Sequence, residues 1–338
     1  MASASPQALF LYTIAAAALL IPGPTVLAQL TPDFYTSICP QALPTIRRIV
    51  NQAINDEPRM GASLLRMHFH DCFVNGCDGS ILLDDTSNFT GEKTAGPNFN
   101  SVRGYDVVDK IKTELDKICR RSIVSCADIL AVAARDSVSI VSIYPLSHVL
   151  TQLGGPSFTY SVLLGRRDAT TASLNAANNN LPAPFFSFPQ LLASFQAHGL
   201  DLTALVALSG GHTIGLARCT TFRNRIFNDT NIQTNLAASL QRACPPTGGD
   251  DNLQPMDRTP AGFDTQYFDA LLRNRGLLHS DQELFGGGSA ASDALVRLYS
   301  TSPQRFAADF AAAMVKMGNM QPLTGTNGEI ESDCRKIN

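Results

Sequence analysis

The sequence lacks several features that would assign it to common classes of protein. After residue 28 it has no apolar stretch long enough to cross a bilayer, so we expect no membrane span. It has no excess of basic residues: the net charge is −3 and the pI is near 6.1, which argues against a general surface for nucleic acid or anionic membranes. It has no internal repeat and no convincing alternation of apolar and polar residues, so the pattern does not predict β-strands.

The N-terminus has the pattern of a secretory signal peptide, which we assign to residues 1–28. Residues 10–21 form an apolar stretch too short to span a bilayer, and Val26, Leu27 and Ala28 offer a cleavage site before Gln29. The remaining residues, 29–338, are long enough to bury a sizeable core. We therefore expect an exported chain in which residues 29–338 form one large domain or two intimately packed lobes.

The cysteines and the glycosylation motifs agree with export. Eight cysteines are an even number, and in an exported chain they predict disulfides, although the count alone leaves the pairing open. Their scattered spacing does not fit a zinc site. Asn88 and Asn228 each begin an Asn-X-Thr motif and are candidate glycan acceptors on surface loops.

Helical patterns dominate the predicted domain. Apolar residues recur at helical spacing in the segments 45–55, 61–71, 101–117, 126–138, 188–198, 202–217, 263–275 and 303–318. Ser125 is a candidate N-cap for the segment that starts at residue 126, and Gly210 and Gly211 interrupt the segment 202–217. The predicted fold class is mainly α.

Two stretches carry histidines in informative surroundings. Arg66 and His70 are four residues apart, so on a helix they share one face and can converge on one small ligand. His212 ends a second apolar helix, behind two glycines that would let something flat approach the backbone. Alone, such a histidine is more often a core residue than a ligand. Together, the two helices could hold a planar metal cofactor, with one histidine as ligand and the other available for proton transfer.

Oxygen ligands follow the first histidine stretch directly. Asp71, Asp78 and Ser80 lie in a segment too rich in Gly and Asn to continue as helix. With the backbone carbonyls between them, they are hard ligands of the kind that calcium takes. Cys72 and Cys77 bracket the turn and could join across it. The sequence therefore predicts a catalytic helix tied to a calcium loop.

The motifs together resemble the secretory plant peroxidases (class III haem peroxidases) over nearly all of residues 29–338. The matching segments are QLTPDFY at 29–35, LRMHFHDC at 65–72, VSCADIL at 124–130, LGRRD at 164–168, ALSGGHTIG at 207–215 and SDQELF at 280–285. The resemblance implies a haem peroxidase fold, in which a distal lobe (about 29–160) and a proximal lobe (about 161–338) sandwich haem b. It implies hydrogen peroxide as oxidant, small phenolic donors and a monomer. The chain ends soon after Cys334, which favours secretion to the apoplast or cell wall over the vacuole.

The resemblance also implies roles for residues around the haem. His212 would be the iron ligand, and Asp281 would accept its other ring proton. His70 would take a proton from hydrogen peroxide and return it to the leaving oxygen. Arg66 would stabilise the negative charge that develops as the O–O bond breaks, and Asn98 would hold His70 through Nδ1.

Further roles implied by the resemblance concern access and structure. Phe69 would restrict access to the iron, and the carbonyl of Pro182 would accept a hydrogen bond from the donor at the haem edge. Arg166 would form a structural ion pair with a buried Asp128. Phe158 stands where the family usually has tryptophan, a residue that this chain lacks entirely, and it should preserve the aromatic packing.

Two calcium sites and four disulfides follow from the same resemblance. The distal calcium would take Asp71, Val74, Gly76, Asp78 and Ser80, with Glu92 acting through water. Thr213, Thr259 and Asp264 fit the proximal calcium. The family's preceding aspartate normally stands three residues before the threonine, where this chain has Met256; Asp257 is only two before. Either a one-residue deletion shifts the loop or the site is weakened. The implied disulfides are Cys39–Cys119, Cys72–Cys77, Cys126–Cys334 and Cys219–Cys244.

One departure from the family and two rival functions remain open at this point. Residues 139–153 exceed what the family places there, and the excess is either a surface loop or a translated intron. A secreted structural or calcium-dependent binding module is one rival, against which the intact catalytic residues speak. A zinc hydrolase using His68, His70 and Asp71 is the other; histidines two apart suit a strand, whereas this segment is predicted to be helical.

Overall fold

The computed structural model describes residues 29–142 and 158–338. The predicted signal peptide, 1–28, and most of the excess segment, 143–153, lie outside the described residues. Within the described part, four helices come first: α1 (Ala42–Asp56), α2 (Met60–Cys72), α3 (Tyr105–Cys119) and α4 (Cys126–Val141). A short 3-10 turn, Ser80–Leu82, follows α2. Helix α2 packs on α4, and α1 packs on both α3 and α4.

The second part of the described chain adds nine helices and one small sheet. The helices are α5 (Leu174–Asn180), α6 (Phe188–Ala197), α7 (Leu202–Ser209), α8 (Cys219–Asn228), α9 (Thr234–Ala243), α10 (Gln266–Leu272), α11 (His279–Gln282), α12 (Ala290–Thr301) and α13 (Pro303–Gly318). Strands β1 (Leu216–Arg218) and β2 (Leu253–Pro255) pair antiparallel. The mainly α fold class is confirmed.

Local sequence explains where the helices that carry the site begin and pack. The Ser125 hydroxyl accepts a hydrogen bond from the backbone N–H of Asp128 at 3.2 Å, so Ser125 is the N-cap of α4 as predicted. Asp168 accepts a second bond at this helix start, from the N–H of Ala127 at 2.9 Å. Gly61 lets α2 approach α4 closely, because a Cβ there would lie 2.8 Å from the Cγ1 of Val141.

Two predicted helices were wrong in their bounds. The segment 101–117 begins its helix only at Tyr105, because Gly104 precedes it with φ +101°, a left-handed conformation. The segment 202–217 is not one helix: α7 ends at Ser209, a 3-10 turn covers Gly210–Thr213, and β1 follows. The cause is packing, since a Cβ on Gly210 would come within 2.5 Å of the Phe306 ring.

One disulfide, Cys126–Cys334, and one buried ion pair join the two parts of the described chain. The four disulfides join Cys39–Cys119, Cys72–Cys77, Cys126–Cys334 and Cys219–Cys244, the partners implied by the resemblance. Phe158 is buried and makes edge contacts with Phe263 and Phe306, so the expected aromatic packing is present. Arg166 and Asp128 form a fully buried ion pair at 2.9 Å.

Among the described residues, no single helix has both the length and the apolar character needed to cross a membrane. One bent pair, Phe188–Ala197 with Leu202–Thr213, meets these criteria jointly, with a 108° angle at its break.

Candidate active site

Helix α2 brings Arg66 and His70 together on one face. The Arg66 Nε donates a hydrogen bond to the His70 Nε2 at 3.1 Å. A guanidinium has no acceptor, so the Nε2 of His70 must be the unprotonated nitrogen of its ring. The predicted convergence of these side chains is therefore present, and it fixes which nitrogen carries the lone pair.

Asn98 holds the other nitrogen of His70. The His70 Nδ1 lies 2.5 Å from the Asn98 Oδ1, and the Asn98 Nδ2 donates to the backbone carbonyl of Glu92 at 2.9 Å. The second bond orients the amide so that its oxygen faces the histidine. His70 thus has an Nδ1–H that donates to Asn98 and a basic Nε2 that faces Arg66.

Two residues that the sequence did not single out fix the guanidinium of Arg66. Its Nη2 donates to the carbonyl of Pro97 at 2.8 Å, and its Nη1 and Nη2 donate to the carbonyl and hydroxyl of Ser101 at 3.0 and 3.1 Å. Pro97 and Ser101 flank Asn98, so one loop orients both distal side chains. A sequence does not show which backbone carbonyls will accept hydrogen bonds. Only the closeness of Pro97 and Ser101 to Asn98 along the chain could have indicated their role.

Burial sets the protonation of the pair. It lowers the pKa of His70 well below the ordinary histidine value, and the positive charge of Arg66 lowers it further. Burial also lowers the pKa of Arg66, to about 10, which still leaves it charged at neutral pH. A neutral base beside a fixed cation can accept a proton and stabilise a developing anion.

A second histidine–carboxylate pair begins at the turn after α7, which carries His212. The Nδ1 of His212 donates to the Asp281 Oδ1 at 2.7 Å, and Asp281 is 2% exposed while the His212 side chain is 45% exposed. Tyr267, which the sequence analysis missed, donates its hydroxyl to the same Oδ1 at 3.1 Å, and the N–H of Leu278 donates to Oδ2 at 3.0 Å. The Nε2 of His212 is left for a ligand, so the residues fit an iron-bound imidazole.

Two further residues, Phe69 and Pro182, were assigned to the haem surroundings by the resemblance. Phe69 stacks on Phe73 with ring centroids 4.1 Å apart, and its centroid is 6.0 Å from that of His70. Pro182 is half-buried in the segment between α5 and α6, and the carbonyl of Pro184 in that segment accepts the N–H of Ser280 at 3.0 Å. This last bond connects the segment to the helix that carries Asp281.

The oxygen ligands predicted for the distal calcium form a buried cluster. Nine buried side-chain oxygens have no hydrogen-bond partner within the described residues, and three of the nine belong to this set: Asp71 Oδ1, Ser80 Oγ and Glu92 Oε2. Unpaired buried oxygens are rare in proteins and need an explanation. A hard cation among them is one, so the residues fit calcium.

Electrostatics supports a cation at the distal cluster. Burial raises the pKa of Asp71 well above its usual value, and the neighbouring carboxyls of Asp78 and Glu92 raise it further. Burial likewise raises the pKa of Asp78, and that of Glu92 to about 7. Three carboxyl groups gathered away from water repel one another as anions unless a positive charge lies among them.

The proximal calcium candidates also converge, and Asp257 is among them. The Thr213 hydroxyl lies 2.9 Å from the Asp257 Oδ2 and 3.0 Å from the Asp264 Oδ1, and the N–H of Thr259 donates to the Asp257 Oδ1 at 2.7 Å. Burial raises the pKa of Asp257 to about 6 and also raises that of Asp264. Asp257 thus reaches the cluster from its shifted position, while Met256 is buried in a separate apolar cluster.

His68 does not join this chemistry. It lies on α2 with its ring nitrogens 3.7 Å from the Sγ of Cys72, which is bonded to Cys77 and so is not a free thiolate ligand. Burial lowers the pKa of His68 to about 3, and Arg166 contributes to the shift. Because both histidines lie on α2 and are two residues apart, their side chains point to different sides of the helix. This arrangement does not favour a shared zinc ion.

Comparisons with known proteins agree with these observations. A family model described as "Peroxidase" matches residues 46–302. The chain is 58% identical over 339 residues to Peroxidase RIP1 of Medicago truncatula, with all of both chains covered. It is 55% identical over 314 residues to Peroxidase 70 of Zea mays, covering 92% of each, and 55% identical over 313 residues to Peroxidase P7 of Brassica rapa subsp. rapa, covering 92% of this chain and all of the relative.

Proposed function

Because the chain belongs to the plant class III haem peroxidase family, we propose that His70, Arg66 and His212 carry out its reaction, the reduction of hydrogen peroxide by phenolic donors. The observation that carries this proposal is the hydrogen bond from Arg66 to the Nε2 of His70, with the Nδ1 held by Asn98. It leaves a neutral base and a cation side by side where peroxide would bind.

Haem b held by His212 would supply the iron at which the peroxide bond is cleaved and the oxidising equivalents that donors then reduce one electron at a time. The protein's own side chains contribute proton transfer and charge stabilisation. The Nε2 of His70 would accept a proton from one oxygen of hydrogen peroxide, and the imidazolium would return it to the other oxygen, which would leave as water. The guanidinium of Arg66 stabilises the charge on that oxygen while the bond breaks. Two phenolic donors each give one electron and one proton, which balances the formation of two water molecules.

Asp281 and Tyr267 act on His212, the proposed iron ligand. The carboxylate of Asp281 accepts the His212 Nδ1–H, which makes the imidazole a stronger electron donor toward iron. The hydroxyl of Tyr267 donates to the same carboxylate oxygen and moderates its basicity. The two hydrogen bonds together set how strongly His212 donates.

We further propose two calcium ions, of which the distal one is supported by the unpaired oxygens of Asp71, Ser80 and Glu92. The distal ion would affect the reaction by positioning His70. Asp71 follows His70 directly, and Glu92 holds Asn98 through its backbone carbonyl. A cation that orders this cluster would therefore fix the orientation of His70. The proximal ion would lie among Thr213, Asp257, Thr259 and Asp264.

Other parts of the proposal concern processing and location. Removal of residues 1–28 would release a secreted monomer of two lobes, about 29–160 and about 161–338, to the apoplast or cell wall. Donors would dock beside Pro182. Asn88 and Asn228 are both exposed, as glycan acceptors must be.

Single substitutions test the proposed roles. His70→Ala should lower kcat/KM for hydrogen peroxide by about 10²–10⁴-fold, because it removes the acid–base group. His198→Gln is the matched control, since His198 lies at the end of α6 and takes no part in the proposed chemistry. The rate of guaiacol oxidation, measured across a range of hydrogen peroxide concentrations, gives kcat/KM for peroxide. Full activity in folded, haem-loaded His70→Ala would refute the assignment.

A further inference from the structure

A cleft of about 430 Å³ opens on the surface of the described chain. It lies between α9, strand β2 with the residues after it, α10 and the loop at 275–277. Its lining includes none of Arg66, His70, His212 and Asp281. The volume is within the range of small-molecule sites in proteins, roughly 300–1,000 Å³.

The floor of this cleft, hereafter the α9–α10 cleft, is apolar. Leu236, Leu240, Met256 and Leu277 line it, and the last three are among the buried residues of one hydrophobic cluster. Met256 is one of these residues, so a thioether forms part of the apolar lining. Thioethers pack well against aromatic rings.

Two arginines line the same cleft without a carboxylate partner. Within the described residues, no carboxylate lies within salt-bridge distance of Arg258 or Arg275, and Arg275 contacts only the amide oxygen of Gln233. Other arginines of this region do have partners: Arg218 with Asp251, Arg223 with Asp250 and Arg273 with Asp269. Arg258 and Arg275 differ from these paired arginines, and their guanidinium groups are therefore available to a ligand.

The two carboxylates that line the cleft are already engaged. Asp269 accepts both Nε and Nη2 of Arg273 on its Oδ1. Asp257 accepts hydrogen bonds from Thr213 and Thr259. Within the described residues neither carboxylate forms an ion pair with Arg258 or Arg275, so the cleft combines an apolar floor with two guanidinium groups that have no carboxylate partner.

We propose that the α9–α10 cleft binds a small aromatic carboxylate, with the ring on the Met256 floor and the carboxylate held by Arg258 and Arg275. The planar guanidinium fork matches a carboxylate with two parallel hydrogen bonds, and an aromatic ring covers an apolar floor with little loss of rotamer freedom. The lining includes neither Pro182 nor any of the proposed catalytic residues, so this proposal does not depend on the proposed peroxidase chemistry.

Calorimetric titration of the haem-loaded protein with trans-cinnamate tests the proposal. Cinnamate has the ring and the carboxylate but no phenolic hydroxyl, so it is not a phenolic donor. Wild-type protein should bind cinnamate and should not bind the neutral analogue cinnamyl alcohol comparably. Arg258→Gln combined with Arg275→Gln should weaken cinnamate binding at least tenfold. The matched control, Arg273→Gln, should bind it as wild type does, and guaiacol oxidation should be unchanged in all three proteins.

The Soret spectrum recorded during the same titration separates this cleft from the haem edge. Binding in the cleft should leave the haem band unchanged. The proposal is overturned if wild-type protein shows no cinnamate binding up to millimolar concentration. It is equally overturned if the double variant binds as tightly as wild type, if cinnamyl alcohol binds as well as cinnamate, or if binding tracks a shift of the Soret band.

Discussion

At the scale of single residues, Arg66 has two separable effects on His70. It stabilises charge in the transition state, and its positive charge adds to burial in lowering the pKa of His70. Arg66→Gln should therefore reduce kcat/KM for peroxide by about 10²–10³-fold. It should also raise the pKa of His70, which moves the acid limb of the pH profile to higher pH, because imidazolium is no longer opposed by a neighbouring cation.

The pH dependence of kcat/KM in wild type and Arg66→Gln checks both effects. Because the pKa of His70 lies below the ordinary value of 6.5, the wild-type profile should stay flat through neutral pH and fall only in more acidic solution. A lower rate with an unmoved acid limb would contradict the electrostatic coupling between the two side chains.

Tyr267 makes a second prediction at this scale. Tyr267→Phe removes one of two hydrogen bonds to the Asp281 Oδ1, so the carboxylate becomes more basic and draws more strongly on the His212 proton. The ferric state should then be favoured. The reduction potential of the haem-loaded variant should fall by an amount on the order of tens of millivolts, measured by spectroelectrochemistry. An unchanged or higher potential would contradict the proposed role.

The residues that the sequence could predict are those with side-chain chemistry at an informative spacing. Arg66 and His70 are of this kind, and their convergence on α2 follows from a spacing of four. Pro97 and Ser101 were not predictable, because they act mainly through backbone carbonyls. Tyr267 was missed because its spacing from Asp281 follows no local periodicity, and only the tertiary fold brings the two together.

At the scale of elements, the loop after α2 is expected to respond to calcium and pH together. Without calcium, the raised pKa values of Asp71, Asp78 and Glu92 mean that the folded state holds these protons more tightly than the unfolded state does. Stability is then greatest in acid and falls as pH rises, for Glu92 between 4.5 and about 7. Calcium should remove this loss, because the anions then have a cation to bind.

Thermal unfolding of the chelated and calcium-loaded proteins between pH 4.5 and 7 measures this dependence. The melting temperature of the chelated protein should fall with pH, and the difference between the two proteins should widen toward neutrality. Asp71→Asn should shrink that difference, while Asp106→Asn, an exposed carboxylate on α3, should leave it unchanged. Equal melting temperatures at pH 7 with and without calcium would contradict a distal site.

Some helices were predicted from their apolar residues at helical spacing, and others were missed. Helices α1, α2, α4 and α13 follow a clear apolar stripe, and all four were predicted. Helix α5 was missed because it is mostly asparagine and buries only Ala177. Helix α8 was missed because Arg225, a charged residue, lies buried on its inner face, where it donates to the carbonyl of Gly276.

At the scale of the whole molecule, the disulfides differ in the length of chain they close. Cys126–Cys334 spans 208 residues and Cys219–Cys244 spans 25. In the chain-entropy description, removing the first pair should lower the free energy of unfolding by about 5 kcal/mol, and removing the second by about 3 kcal/mol. Denaturant unfolding of two variants, each with both cysteines of one pair replaced by alanine, measures the two losses of unfolding free energy. A larger loss from removing the shorter loop would show that local packing, and not chain closure, decides their contribution.

The overall architecture was more predictable than its boundaries. The fold class and the four disulfide pairs were implied before any coordinates, through motifs that resemble one family. The two-stranded sheet was not, because strands of three residues are too short to show alternation. The cleft between α9 and α10 was also not predictable, since its floor and its arginines come from segments separated along the chain.

The central claim is that His212 binds haem in a pocket where His70 and Arg66 act on peroxide. The most direct test is the absorption spectrum of wild type and His212→Ala after haem reconstitution, before and after one equivalent of hydrogen peroxide. Wild type should show a Soret band that shifts with peroxide and returns when guaiacol is added, and His212→Ala should not reproduce it. A folded wild-type protein without a Soret band, or a His212→Ala spectrum identical to that of wild type, would contradict the account.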